Sequence, residues 1–281
     1  MTSRTIHLGI STCPNDTFAF AALLEGRVDT GDIRFEIELL DIQQLNDRLS
    51  AGDFDAAKSS FFTALKLAGT TFVLPSGSAL GFGVGPLLLA ASPDQIPQHS
   101  KQTTLCPGAD TTAHLLFALF YGGTTGVRQT VFSEILPALQ AGRADFGVCI
   151  HEGRFTWRET GLALVDDLGQ RWEALTNTPL PLGGIIARRS LSKATLDAIQ
   201  TAIHDSLRLA LQDPSSALPK MRRYAQEFDD AVLMQHVDLY VNQWTLDLGR
   251  VGSQALQELS RQAKRVGCIT TNVPDLEIWS R

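Results

Sequence analysis

The stretch ADFGVCIHEGRFTW, Ala144 to Trp157, places a titratable imidazole where a buried strand ends. Asp145 to Ile150 reads as that strand, being apolar with β-branched residues. His151 follows at its exit, the edge at which open α/β sheets hold their ligands. Imidazole gains and loses a proton near neutral pH without a large shift, so His151 is a candidate general base. A histidine held in a hydrogen-bonded turn satisfies the same local sequence. Glu152 and Arg154 come next, and an ion pair of Arg154 at a hinge is the expected role of that arginine.

Three further groups carry chemistry. Lys58-Ser59-Ser60 closes a strand and enters a helix, where charge, hydroxyls and the helix dipole together suit an anion. A capped helix beside a surface lysine is the plainer alternative. Thr111-Thr112 opens an apolar helix, either as caps or as a second place for a carboxylate. Pro14-Asn15-Asp16 is a helix-start signal, with Asn15 or Asp16 as the expected N-cap, on a loop at the same sheet edge.

The elements that must position these groups alternate. Thr5 to Ile10 is a strand, followed by a helix to Leu24. Ile33 to Leu40 alternates apolar and charged residues, as a half-buried strand does. A helix is expected over Ile42 to Ala51, a strand over Asp55 to Ser60 and a helix over Phe61 to Leu67. The GSALGFGVGP run, Gly77 to Pro86, lacks the P-loop pattern and reads as a bent strand or hinge into a strand at Pro86 to Ala91. Ser92 to Lys101 reads as a crossover. A second block follows: a strand at Thr103 to Cys106, a helix at Ala113 to Tyr121, and strand–helix pairs up to Leu175. Pro179 to Gly184 reads as a rigid turn before a returning strand, Ile185 to Ala187. Leu196, Ile199, Ile203, Leu207 and Ala210 mark one helical face; Leu233, His236, Val237, Tyr240 and Trp244 mark another. On that pattern His236 belongs to the core.

Alternation of strands and helices predicts an α/β protein with mostly parallel sheets. Two lobes joined by two crossovers, with a ligand cleft between them, resemble the type 2 periplasmic-binding-protein architecture. The expected lobes are residues 1–91 with 188–281, including the C-terminal helices, and residues 92–187.

Composition narrows the classes. The 281 residues are 44% apolar and 19% charged, with a net charge of −6, which points to no nucleic acid and no membrane as partner. The four cysteines form no CxxC pair and the six histidines show no metal-ligand spacing, so neither a disulfide framework nor a metal site is expected. The start, MTSRTIHLGIST, enters a strand directly and has no apolar signal core, so a cytoplasmic protein is expected.

Several motifs occur together in order: STCPNDTF at Ser11, Lys58-Ser59-Ser60, GVGPLLLA at Gly83, Thr111-Thr112-Ala113, IHEGRFTW at Ile150, PLPLGGIIAR at Pro179 and YVNQWTLDLG at Tyr240. Together they resemble the 1,4-dihydroxy-6-naphthoate synthases of the futalosine route to menaquinone, across nearly the whole chain. The sequence departs from that pattern at Thr12, Arg171-Trp172 and Thr245. The resemblance implies a lyase that opens cyclic dehypoxanthinyl futalosine, a small-molecule carboxylate, without cofactor or metal. It implies His151 as the base and Lys58, Ser59, Ser60, Thr111 and Thr112 as substrate contacts, with Asn15 and Asp16 as supporting site residues. A monomer or weak homodimer is expected. A solute-binding protein of the same fold and a chorismate dehydratase are the alternatives.

Overall fold

Arg4–Ser11 forms the first strand, β1, with Ile6, Leu8 and Ile10 withdrawn from solvent. The computed structural model describes residues 4–150, 153–224 and 229–280. In chain order the remaining strands are β2 (Ile33–Leu40), β3 (Ala56–Ser60), β4 (Thr71–Val73), β5 (Ala79–Gly81), β6 (Leu87–Ala90), β7 (Thr103–Cys106), β8 (Gly126–Gln129), β9 (Phe146–Cys149), β10 (Ala163–Asp167) and β11 (Leu180–Arg188).

They build two sheets. The first runs β2-β1-β3-β11-β4, with β5 on the end of β11; the second runs β10-β6-β9-β7-β8. The expectation of mostly parallel sheets is met in part. β1 is parallel to β2 and β3, and β7 to β8 and β9. β6 runs antiparallel to β9 and β10, and β11 antiparallel to β3, β4 and β5. Parallel neighbours need a crossover connection between them. β6 and β11 instead arrive from the other sheet and run against their neighbours.

These two strands also move the chain's sheet changes away from the junctions expected at 91/92 and 187/188. β6 already lies in the second sheet by Leu87, and β11 has joined the first sheet by Leu180. The expected turn over Pro179 to Gly184 is instead the first half of β11. Pro181 sits beside a register shift in the pairing with β5, where its missing N–H removes no regular ladder bond. Gly183 and Gly184 permit the fit: a Cβ would stand 2.6 Å from the Ser59 carbonyl oxygen at the first and 2.7 Å from the Phe61 ring at the second.

Local signals hold elsewhere. Helix Ile42–Ala51 starts in a capping box, Asp41 accepting from the Gln43 amide at 2.8 Å while Gln44 accepts from the Asp41 amide at 3.2 Å. Helix Pro14–Ala19 differs from expectation, because Pro14 occupies its first turn and Cys13, not Asn15 or Asp16, is the N-cap. Helices Lys193–Gln212, Asp230–Tyr240 and Gly249–Arg265 cover the first sheet and its edge. One apolar cluster contains Phe61 and Leu180 of the first lobe together with Phe117, Phe146 and Trp172 of the second. The lobes therefore share a core. Thr245, where the family pattern differs, accepts from the Asn242 amide at 3.0 Å, a bond any hydroxyl at this position can make. Among the described residues no helix is long and apolar enough to cross a membrane.

Candidate active site between the two sheets

Strand β3 is buried along its whole length, so its alternation sorts side chains between two interior faces. Lys58 and Ser60 point into a cavity of about 690 Å³, measured with its open mouth, between the sheets. Ser59 does not line it; its hydroxyl donates to the Ser60 carbonyl at 2.9 Å. Asn15, Asp16, Thr111 and Thr112 line the same cavity. Thus every predicted contact but Ser59 converges there, from three separated segments. His151 and Glu152 lie outside the described residues. Ile150, immediately before them, lines the cavity.

Lys58 is not a free surface cation. Its Nζ donates to Asp16 Oδ1 at 2.6 Å and to the Gly77 carbonyl at 2.9 Å, with the paired side chains 5% and 3% exposed. Asp16 Oδ2 accepts from the Ser11 hydroxyl at 2.6 Å. The carboxylate is thus turned away from its own helix and neutralises the lysine. Lysine has three donors, so these two bonds leave one for a ligand.

Ser60 is oriented by a residue that sequence reasoning missed. Asn46 Oδ1 accepts from the Ser60 amide at 3.1 Å, and its Nδ2 stands 3.2 Å from Ser60 Oγ. A backbone N–H can only donate, so the amide oxygen must face it. The Asn46 NH₂ then donates to Ser60 Oγ, which leaves the Ser60 O–H to donate elsewhere. Asn46 is fully buried beside Leu45 on the inner face of its helix. An amide among the apolar positions of an amphipathic helix was the available signal.

The threonines are partly spent. Thr111 is the N-cap of helix Thr112–Tyr121, accepting from the His114 amide at 3.2 Å and donating to the Gly108 carbonyl at 2.8 Å. Thr112 donates to the Leu182 carbonyl at 2.8 Å and accepts from the Phe62 amide at 3.3 Å, both on the first lobe. Among the described residues, the amides of Thr112 and Ala113 face no acceptor, and the helix dipole favours an anion beside them.

Arg154 forms the ion pair expected of it. Its guanidinium donates to Asp167 Oδ2 at 2.8 Å and to the Gly83 and Gly85 carbonyls, each at 2.9 Å. Those glycines lie on the connection from β5 to β6. At Gly85, φ is +114° and a Cβ would meet Leu180 at 2.6 Å, so no other residue fits. His236, read from sequence as core, is buried and also lines the cavity.

The buried thiols of Cys106 and Cys149 are pushed up to about 12 by burial, which keeps them protonated and unreactive. Among the described residues, no three His, Cys, Asp or Glu side chains gather as metal ligands.

Two α/β lobes with a largely apolar cavity between them, set with a few polar groups, define a periplasmic-binding-protein-like fold. The ligand-binding component of an ABC-type import system from Staphylococcus aureus superposes with a TM-score of 0.71 at 15% identity, covering 97% of this chain and 94% of that one. Residues 6–265 match the family model described as menaquinone biosynthesis. The protein named 1,4-dihydroxy-6-naphthoate synthase from Streptomyces coelicolor is 39% identical over 280 residues, 98% of each chain. The protein of the same name from Thermus thermophilus is 40% identical over 264 residues, 94% of this chain and 96% of that one. The chain belongs to this menaquinone-biosynthesis family.

Proposed function

We propose that the chain is a lyase that converts cyclic dehypoxanthinyl futalosine to 1,4-dihydroxy-6-naphthoate, with His151 as general base and no cofactor. The observation that carries the reading is the convergence of Lys58, Ser60, Thr111 and Thr112 on one cavity between the lobes. The relatives' shared name supports it further.

The chemistry suits such a cavity. Removal of one substrate proton lets the carbon skeleton eliminate, and aromatisation of the naphthalene ring drives the step. Ile42, Pro86, Ile150 and Leu182 offer apolar walls to a flat ring. The Ser60 hydroxyl, the remaining Lys58 donor and the amides of Thr112 and Ala113 suit the carboxylate and sugar-derived hydroxyls. Because Asp16 neutralises Lys58, an anion is held here mainly by directed hydrogen bonds rather than by net charge. A positioned base contributes roughly 10²- to 10⁴-fold, so orientation between the lobes supplies much of the remainder.

The test mixes purified protein with cyclic dehypoxanthinyl futalosine, without added cofactor and with EDTA, and follows the product by absorbance and mass. Product from the wild type and none from folded His151→Asn is the expected result. Metal-dependent turnover overturns the cofactor-free reading. Full activity in His151→Asn overturns the base. Saturable binding without product supports a solute-binding protein, the role of the Staphylococcus aureus neighbour.

A further inference from the structure

His236 sits on helix Asp230–Tyr240 and is 1% exposed, yet it lines the cavity. Its neighbours are an amide oxygen at Nε2 and two aromatic rings. Nε2 stands 3.2 Å from Asn15 Oδ1. The neighbouring bonds fix which atom donates. Asn15 Nδ2 lies 3.0 Å from Asp16 Oδ1, the same oxygen that receives Lys58. A carboxylate paired with a lysine can only accept, so the Asn15 NH₂ must face Asp16 and its oxygen must face His236. His236 therefore donates from Nε2. A line of directed bonds runs from the ring through Asn15 to Asp16 and Lys58.

The ring meets two aromatic side chains in tilted arrangements. Tyr240 lies one helical turn on, with centroids 4.6 Å apart. Phe155 reaches it from the second lobe, at 6.0 Å and 55° between planes. Phe155 follows Arg154, which is itself bonded to the β5–β6 connection and to Asp167. One ring thus joins the polar floor of the first lobe to helix Gly153–Thr156 of the second.

We propose that His236 is a positioning residue of the reaction: held as its Nε2–H tautomer by Asn15, it registers the Asn15–Asp16–Lys58 chain against Phe155 across the cavity. The inference rests on the lyase reading for its kinetic test and on geometry alone for its tautomer. Nitrogen–proton correlation spectra of the imidazoles at mildly alkaline pH read the tautomer directly. The expected result is an Nε2–H ring at His236 whose preference is lost in Asn15→Ala. An Nδ1–H ring, or a tautomer unchanged in Asn15→Ala, overturns the proposal.

Three variants read the positioning. His236→Gln keeps a donor near Nε2, His236→Phe keeps a ring without a donor, and His236→Leu keeps neither. Phe and Leu are expected to lower kcat roughly 10- to 100-fold, the equivalent of one misplaced hydrogen-bond network, with KM changed less than about threefold. Gln is expected to recover most of the loss. A lower Tm with kcat unchanged in Phe and Leu shows a ring that only fills space, and overturns the proposal. A wild type that makes no product sinks the lyase reading alone, and the tautomer result then decides this one.

Discussion

Lys58 Nζ and Asp16 Oδ1 stand 2.6 Å apart at the floor of the cavity, on side chains 5% and 3% exposed. A buried pair offers little net stability over an apolar pair, but removing one partner strands the other charge. Asp16→Asn and Lys58→Met are each expected to cost about 3–5 kcal/mol, read from urea unfolding. The double variant Asp16→Asn/Lys58→Met is expected to cost less than the sum of the two. Strict additivity in that cycle would show that the pair is not coupled.

Thr112 is one of the residues that tie the second lobe to the first. Thr112→Val keeps the shape, but it strands the Phe62 amide and the Leu182 carbonyl. The expected loss is about 1–3 kcal/mol of stability with a raised KM. Thr111→Val removes the helix cap and the bond to the Gly108 carbonyl, with an expected loss of about 0.5–2 kcal/mol. Calorimetric unfolding of both, beside their kinetics, separates the two roles; equal KM in wild type and Thr112→Val would contradict this one.

Arg154 spans Gly83, Gly85 and Asp167 with one planar fork. Lysine carries the charge but cannot reach three acceptors in that geometry. Arg154→Lys is expected to lower kcat/KM roughly tenfold, about one hydrogen bond's worth, under the lyase assay. Unchanged kinetics would confine Arg154 to holding the β5–β6 connection.

His114 is one source of pH dependence. Burial lowers its pKa below the ordinary 6.5, and the nearby Lys66 adds to the lowering while Asp110 opposes it. Below pH 6.5 the unfolded chain binds a proton that the folded ring resists. This contribution is therefore complete above the unfolded value and is lost as pH falls through the interval down to the folded one. Urea midpoints at about pH 7.5 and about pH 5 are expected to differ less in His114→Gln than in the wild type. An identical difference would assign the acid sensitivity to other groups.

Much of the scaffold was legible in the sequence, because its signals are local. The strict alternation of Ile33 to Leu40 and the stripe from Leu196 to Ala210 each specify an element through neighbouring residues alone. β11 was not legible in its first half. Its Pro-Leu-Pro-Leu-Gly-Gly run satisfies turn chemistry, and only the approach of Ser59 and Phe61, distant in sequence, makes glycine a packing requirement there.

The candidate site divides in the same way. Sequence by itself placed Lys58-Ser59-Ser60 at a strand exit and Thr111-Thr112 at a helix start, and the family resemblance it carried made all five substrate contacts, of which Ser59 does not line the cavity. Tertiary structure decided what each group is free to do. Asp16 passed from expected cap to counter-ion because Lys58 arrives from another strand. Asn46 and His236 entered the site because their helices turn those residues toward it. Charge neutralisation and hydrogen-bond direction depend on partners tens to hundreds of residues away, and no local pattern in the chain encodes those distances.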